Sequence, residues 1–431
     1  MEFTRRDFIK LTCSGALAGP HALSGRLAAQ PGAPERKKIA IVSTVWRPLS
    51  RAQHIGDRFI VGYPRDGKWH RPAMDVTSIF VDQKPQDDLS SKRAEEFGIR
   101  VYPTVAGALC CGGDELAVDA VVVIGDGGDY PRNEKGQVLY PRYEFFQQVL
   151  DVFEKSGRGV PVFNESHLSH SFEKASTMVA ASKRLGFPLL AGSSLPVTYR
   201  LPSSDMPLGC PIEEALMVAV GDTGAVGDAF EALQCMVERR KGGETGVKAV
   251  QLIEGDEVWK AGDEGRWSWA LLEAALARSD ILYGLSSVDS RTQDLVRNGE
   301  LPRVVKDPAA YLIEYTDGLR GVLLRLNGAV GDYTFAARVK GQSELESVQF
   351  LVPRTFSGAL SPSRADFACL ARKIEEMIET GRAPYPVERA LIAGGIFERC
   401  LDSGVQGHKR LETPELAVRY RAPAEPQFCR T

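Results

Sequence analysis

The most constraining feature of the chain is an alternation of short apolar segments with helix-patterned ones across its first half. Lys37 to Val45, Asp75 to Val81, Ile99 to Tyr102, Ala120 to Ile124, Val160 to Phe163 and Pro188 to Ala191 read as strands. The longer ones are near-continuous β-branched runs, the pattern of strands buried on both faces. Ser50 to Val61, Ser90 to Phe97, Val105 to Cys110, Tyr143 to Lys155 and Phe172 to Leu185 carry helical spacing between them, and Gly98 and Gly186 stop two of these helices. Strands and helices alternating at this spacing predict an α/β fold, a Rossmann-like doubly wound parallel sheet with helices on both faces. Ligands in such sheets bind beyond the carboxyl ends of the strands. Segments 43–50, 82–88, 125–142, 164–171 and 192–200 therefore hold the candidate site.

Past a stretch marked by Pro196, Pro202, Pro207 and Pro211 the pattern changes. Glu214 to Val220, Ala310 to Glu314, Gly321 to Asn327, Phe335 to Val339 and Gln349 to Val352 read as strands, several of them joined by hairpin-like breaks. Asp228 to Arg239 and Phe367 to Thr380 read as helices. This is the signature of an α+β domain with an open antiparallel sheet. The reading places a Rossmann-like nucleotide-binding domain at 37–200 and a substrate and oligomerisation domain at 201–420.

The N-terminus carries Arg5-Arg6-Asp7-Phe8-Ile9-Lys10, followed by a modestly apolar stretch to Leu23 and small residues at Ala28-Ala29. Residues 1–29 thus look like a twin-arginine export signal, which predicts the twin-arginine machinery as a partner and a periplasmic or otherwise exported location. Across 431 residues, 53 Lys+Arg stand against 56 Asp+Glu for a net charge of −3, so no overall field draws nucleic acid. No apolar run reaches the length of a membrane-spanning helix. The eight cysteines contain no CxxC pair, which argues against a zinc knuckle, and Cys110 and Cys111 are adjacent.

The order of elements resembles the Gfo/Idh/MocA family, and so does the end of the chain, with Phe367, Ile374, Gly381-Arg-Ala-Pro384, Glu388-Arg-Ala-Leu391, Ser403 and Thr413-Pro414. The resemblance implies NAD(P)-linked oxidation and reduction of a sugar or other polyhydroxylated small molecule, and a homo-oligomer built on an exposed sheet face. Three departures from the family pattern stand out. The turn after the first strand, Ser43-Thr44-Val45-Trp46-Arg47-Pro48-Leu49-Ser50, has no glycine where the pyrophosphate normally approaches the backbone. Ser43, Thr44 and Arg47 are the substitute phosphate contacts, while Trp46 and Pro48 occupy space the dinucleotide needs. Asp82 ends the second strand in the place of a ribose acceptor, and Asp126 follows the fourth. Glu165-Ser166-His167 aligns with the family's Glu-Lys-Pro, so Ser166 replaces its lysine. Asp228 aligns with its acid/base histidine, with Glu231 one turn later.

His167 or Asp228 is then the candidate base, with Glu165 orienting. The alternative is a non-redox hydrolase, lyase or isomerase on the same scaffold, with His54, His167 and His170 as ligands to a divalent metal. A third reading is a non-catalytic periplasmic binding protein. The Gly-rich segment 125–136 offers Asp129, Arg132, Glu134 and Lys135 to sugar hydroxyls and Tyr130 to a sugar ring.

Overall fold

The computed structural model describes residues 36–283, 294–353 and 363–430. The export signal expected at 1–29 lies outside them. Six parallel strands form the first sheet: β1 (Lys37–Ser43), β2 (Met74–Val81), β3 (Arg100–Tyr102), β4 (Ala120–Ile124), β5 (Val162–Glu165) and β6 (Leu189–Gly192). Their order across the sheet is β3-β2-β1-β4-β5-β6, with every neighbouring pair parallel. The order reverses beside β1, and the crevice outside the carboxyl ends of β1 and β4 is where this topology receives a ligand.

Helices cover both faces. On one, α3 (Val105–Leu109), α4 (Arg142–Ser156) and α5 (Phe172–Leu185) bury Leu109, Phe146, Val149 and Met178 against Val121 and Val123. On the other, α1 (Arg51–Val61) places Ile55 and Phe59 on Ile39, Ile41 and Val122. Ser50 caps α1 by accepting the Gln53 N–H. Helix α2 (Ser90–Phe97) ends at Gly98, whose φ of 67° needs a glycine. A short hairpin, Tyr63–Arg65 with Lys68–His70, stands between α1 and β2.

The second sheet has eight strands. They are β7 (Arg200–Leu201), β8 (Ile212–Ala219), β9 (Val247–Glu254), β10 (Ala309–Tyr315), β11 (Arg320–Arg325), β12 (Tyr333–Val339), β13 (Glu346–Phe350) and β14 (Leu411–Glu412). The order is β14-β9-β10-β11-β8-β12-β13-β7, antiparallel except for the β8–β11 pair. Helix α6 (Thr223–Val237) and the late helix α10 (Glu388–Val405) bury Phe230, Leu233, Ile392 and Ile396 against one face. Helices α7 (Glu257–Asp263) and α8 (Trp269–Leu276), with Trp267 between them, cover Leu216, Val218 and Val322 on the other. The sheet face that the resemblance offers to a second copy is thus occupied by the chain itself. Helix α9 (Ala365–Thr380) returns to the first sheet, where Phe367, Leu370 and Ile374 join the core beneath α1. None of the described helices is long and apolar enough to cross a membrane.

Candidate active site

Two arginines organise the strand-end region, and each is the first residue of the helix that follows a central strand: Arg51 opens α1 after β1, and Arg142 opens α4 after β4. Arg51 is surrounded by three carboxylates. Its Nε lies 2.8 Å from Asp126, its Nη1 2.5 Å from Glu165 and its Nη2 2.8 Å from Asp228. These come from the ends of β4 and β5 and from α6, so one guanidinium ties both halves of the chain together. Arg142 stands 3.6 Å from the other Glu165 oxygen and donates from Nη1 to His167 Nε2 at 2.9 Å.

That last bond fixes the imidazole. A guanidinium only donates, so Nε2 must be the acceptor and the proton sits on Nδ1. Nδ1 faces Ser166 Oγ at 3.4 Å, and Ser166 Oγ donates to Asp228 Oδ1 at 3.2 Å. Arg51, Glu165, Arg142, His167, Ser166 and Asp228 therefore form a closed polar ring. Ser166 adopts φ of 58°, a left-handed conformation costly for a residue with a side chain, and its N–H donates to Gly192 O.

Burial sets the protonation of this ring. Glu165 is fully buried, and desolvation pushes it up to about 7 although Arg51 opposes the shift. Its Oε2 makes no hydrogen bond and faces the Arg142 guanidinium at 3.6 Å. Glu231 is pushed up to about 8 by burial and then by Asp228, while its Oε2 accepts the Ser193 N–H at 2.7 Å. Burial and Arg142 hold His167 well below the ordinary imidazole range. In this geometry the Nε2 lone pair of His167 is engaged by Arg142.

Beside the ring lies a cavity of about 530 Å³ between the two halves of the chain. Arg51, His167 and Asp228 reach it from the ring, with Asp126 beside Arg51, and Arg132, Tyr140, Tyr333 and Phe397 line its other walls. Asp228 is the ring carboxylate supplied by α6. The sequence reading starts that helix at Asp228, but it begins at Thr223, where Asp222 Oδ1 accepts the Ala225 N–H. Two glycines, Gly224 and Gly227, disguise that first turn.

The three histidines expected as metal ligands are not brought together. His54 lies under α9, stacked on Phe367 with ring centroids 5.1 Å apart and pushed down to about 4 by burial and Arg364. His170 is half-buried beside Lys174, and burial lowers its pKa. Among the described residues no group of three His, Cys, Asp or Glu side chains could hold a metal ion.

The expected cofactor contacts are engaged elsewhere. Ser43 Oγ donates to Val45 O, Thr44 Oγ1 donates to Asp126 O, and Arg47 pairs with Asp87 at 2.8 Å. Asp82 accepts the Tyr130 hydroxyl at 2.6 Å. Gln83 donates to Asp129 O at 3.0 Å and accepts the Asp129 N–H at 2.9 Å. Val45 packs on the same loop, since a Cβ on Gly127 would lie 2.9 Å from it. Trp46, expected in the crevice, turns inward instead and packs under α1 against Gly56. Loop 125–130 is thereby stitched across the ends of β1 and β2. Of the other loop residues, Lys135 pairs with Glu398 and Asp402 of α10 and Tyr130 meets Tyr140 edge to face, while Arg132 lines the cavity and Glu134 is exposed. An outer groove of about 490 Å³, lined by Val45, Arg47, Gln83, Lys84, Pro85, Gly128 and Asp129, stays open on this side. The turn where a pyrophosphate would approach is occupied by Val45 and by internal hydrogen bonds of Ser43 and Thr44, and the open groove lies outside it.

No protein-family model and no curated protein matches the chain. Solved structures do. GenD2 from gentamicin A biosynthesis, solved with NAD, superposes with a TM-score of 0.54 at 15% identity, covering 90% of this chain and 99% of that one. A probable dehydrogenase from Thermotoga maritima gives 0.50 at 14% identity, over 88% and 99%. An apo scyllo-inositol dehydrogenase from Lactobacillus casei gives 0.50 at 10%, over 88% and 98%. The chain has the fold of the Gfo/Idh/MocA-type dehydrogenases. At these identities the likeness is one of fold.

Proposed function

We propose that the chain is an enzyme acting on a sugar or other polyhydroxylated small molecule held in the cavity beside Arg51, with Asp228 as the group that takes or returns a substrate proton. The observation that carries this reading is the closed ring, which holds Asp228 by one bond from Arg51 and one from Ser166 at the edge of a void. Guanidinium and carboxylate groups interleaved with Tyr140, Tyr333 and Phe397 suit a ring that bears hydroxyls on its edge and C–H groups on its face. Because Thr44, Asp82 and Gln83 are paired with loop 125–130, the chemistry we favour is proton transfer without hydride transfer: elimination, isomerisation or hydrolysis.

A second reading is NAD(P)-linked oxidation of a secondary alcohol. The shared dehydrogenase fold and the open outer groove support it, and it requires the 44–47 turn and loop 125–130 to part. Export by the twin-arginine route is part of both readings and rests on Arg5 and Arg6.

The two are separated by thermal shift and turnover with a panel of monosaccharides, glycosides and cyclitols, each with and without NAD and NADP. The favoured reading expects a sugar-dependent shift and product formation that are indifferent to the nucleotide. Turnover that appears only with NAD or NADP would replace it with the second.

A further inference from the structure

Residues 131–139, between β4 and α4, fold back on themselves beside the cavity. The Asn133 N–H donates to Gln137 O at 3.0 Å and the Leu139 N–H to Pro131 O at 2.8 Å. Asn133 Oδ1 accepts the N–H groups of Lys135 and Gln137, and Lys135 pins the tip to α10 through Glu398 and Asp402. Arg132 stands on this support and lines the cavity. Its Nη1 donates to Gly136 O at 2.7 Å, while Nε and Nη2 have no protein partner among the described residues. The other charges on the cavity wall are engaged. Arg51 faces Asp126 and Asp228. Arg364 forms a two-point pair with Asp366 at 2.9 and 2.7 Å, and Asp366 also accepts the Ser194 hydroxyl at 2.6 Å. Asp222 caps α6. Among the described residues, Arg132 is the lining cation without a carboxylate partner.

We propose that the ligand of this cavity is an acidic sugar, a uronic acid or its glycoside, and that Arg132 binds its carboxylate. The inference rests on the reading of the cavity as a sugar site and names the class of sugar. The Nε and Nη2 groups form one edge of a guanidinium, and two parallel N–H donors on that edge match the two oxygens of a carboxylate. The bond to Gly136 O and the folded-back loop hold the guanidinium in place before a ligand arrives, which lowers the ordering cost of binding. One unmatched positive charge suits a group of single negative charge. A carboxylate has that charge, whereas a phosphate monoester carries about −1.5 to −2 at pH 7. A carboxylate also acidifies the C–H bond beside it, the bond that elimination or isomerisation must break.

The test follows the melting temperature of the purified full chain during titration with methyl glucuronide, methyl galacturonide, the methyl ester of each, the matching neutral methyl glycosides and glucose 6-phosphate. The expected result is that at least one uronide binds about tenfold more tightly than its own methyl ester and its neutral glycoside, the discrimination expected of hydrogen bonds to a charged group. Added salt should narrow that difference. R132M should erase it, and R132K should restore part of it, because an ammonium cannot pair two oxygens side by side. If R132M does not fold, the comparison of uronide with methyl ester on the wild type decides by itself. Equal affinity for a uronide, its ester and its neutral glycoside, or an unchanged uronide preference in R132M, would overturn the acidic-sugar proposal and leave the sugar site standing. Tighter binding of glucose 6-phosphate than of any uronide would replace the carboxylate with a phosphate. No response to any of these compounds would overturn both this proposal and the sugar reading beneath it.

Discussion

Two regions at the same edge of the first sheet behave differently. Outside β1 and β2 the polar groups face one another: Thr44 with Asp126 O, Gln83 with Asp129, and Asp82 with Tyr130. Outside β5, against α6, polar groups of similar kind face a void of about 530 Å³. A fold fixes where a ligand can bind, but side chains decide whether that place stays open. In this chain the polar groups outside β1 and β2 are paired with the chain's own loop, and a groove of about 490 Å³ stays open outside them.

Removing the group that holds the open region together should have the largest effect. Arg51→Met would leave Asp126, Glu165 and Asp228 without their shared partner, and urea unfolding should register a loss of about 3–5 kcal/mol. Arg51→Lys should recover only part, because an ammonium cannot reach three carboxylates at once. Full recovery by lysine would break the claim that fork geometry organises the site.

Asp228→Asn should lower turnover on the identified sugar by roughly 10²–10⁴. The sugar-induced thermal shift should survive, since the amide still fills the same place. Unchanged turnover would remove Asp228 from the chemistry.

The buried acids give a pH signature. Glu165 at about 7 and Glu231 at about 8 bind protons in the folded chain that the unfolded chain has released. Their stabilisation is complete below the ordinary glutamate range and is lost as pH rises through those two values, at roughly 1.4 kcal/mol per pH unit per group. Over pH 6.5–8 the wild type should therefore lose stability, as read by chemical denaturation. Glu231→Gln, whose amide oxygen still accepts the Ser193 N–H, should flatten that slope. The depressed pKa of His167 acts in the opposite sense, and its contribution is lost as pH falls below about 6.5. It therefore leaves the alkaline limb to the glutamates.

The smallest effect belongs to the closed region. Gln83→Ala removes two hydrogen bonds from an exposed loop and should cost about 1 kcal/mol. It should speed amide exchange at 127–130 while leaving exchange around Asp228 unchanged. Equal acceleration of both would mean that the two regions are one unit.

The first sheet was largely legible because buried parallel strands are continuous β-branched runs with glycine punctuation. Ala120–Ile124, Ser90–Phe97 and Phe172–Leu185 begin and end where the pattern places them. Several elements were not read, among them helices α7 and α8, the 63–70 hairpin, strand β9 and helix α10. Strand β9 follows a glycine-rich turn and has a broken inward pattern. Helix α10 carries Gly394-Gly395 in its interior, a poor local signal. Tertiary packing explains the second glycine, because a Cβ there would lie 2.6 Å from both Phe172 and Leu416. In the site, Asp126, Glu165, His167 and Asp228 were visible as polar residues in strand-end loops or at a family position. Arg51 and Arg142 were missed, since an arginine in a helix reads by default as solvated surface. The available signal was positional: each is the first residue of a helix leaving a central strand.

The central claim is that the polar groups outside β1 and β2 are taken up by the chain's own loop. The most direct test purifies the protein without added cofactor, denatures it and measures released nicotinamide dinucleotides by mass spectrometry. A parallel sample is titrated with NAD and NADP while melting temperature is followed. The account predicts no released dinucleotide and no shift. Near-stoichiometric release, or a saturable shift with either nucleotide, would contradict it.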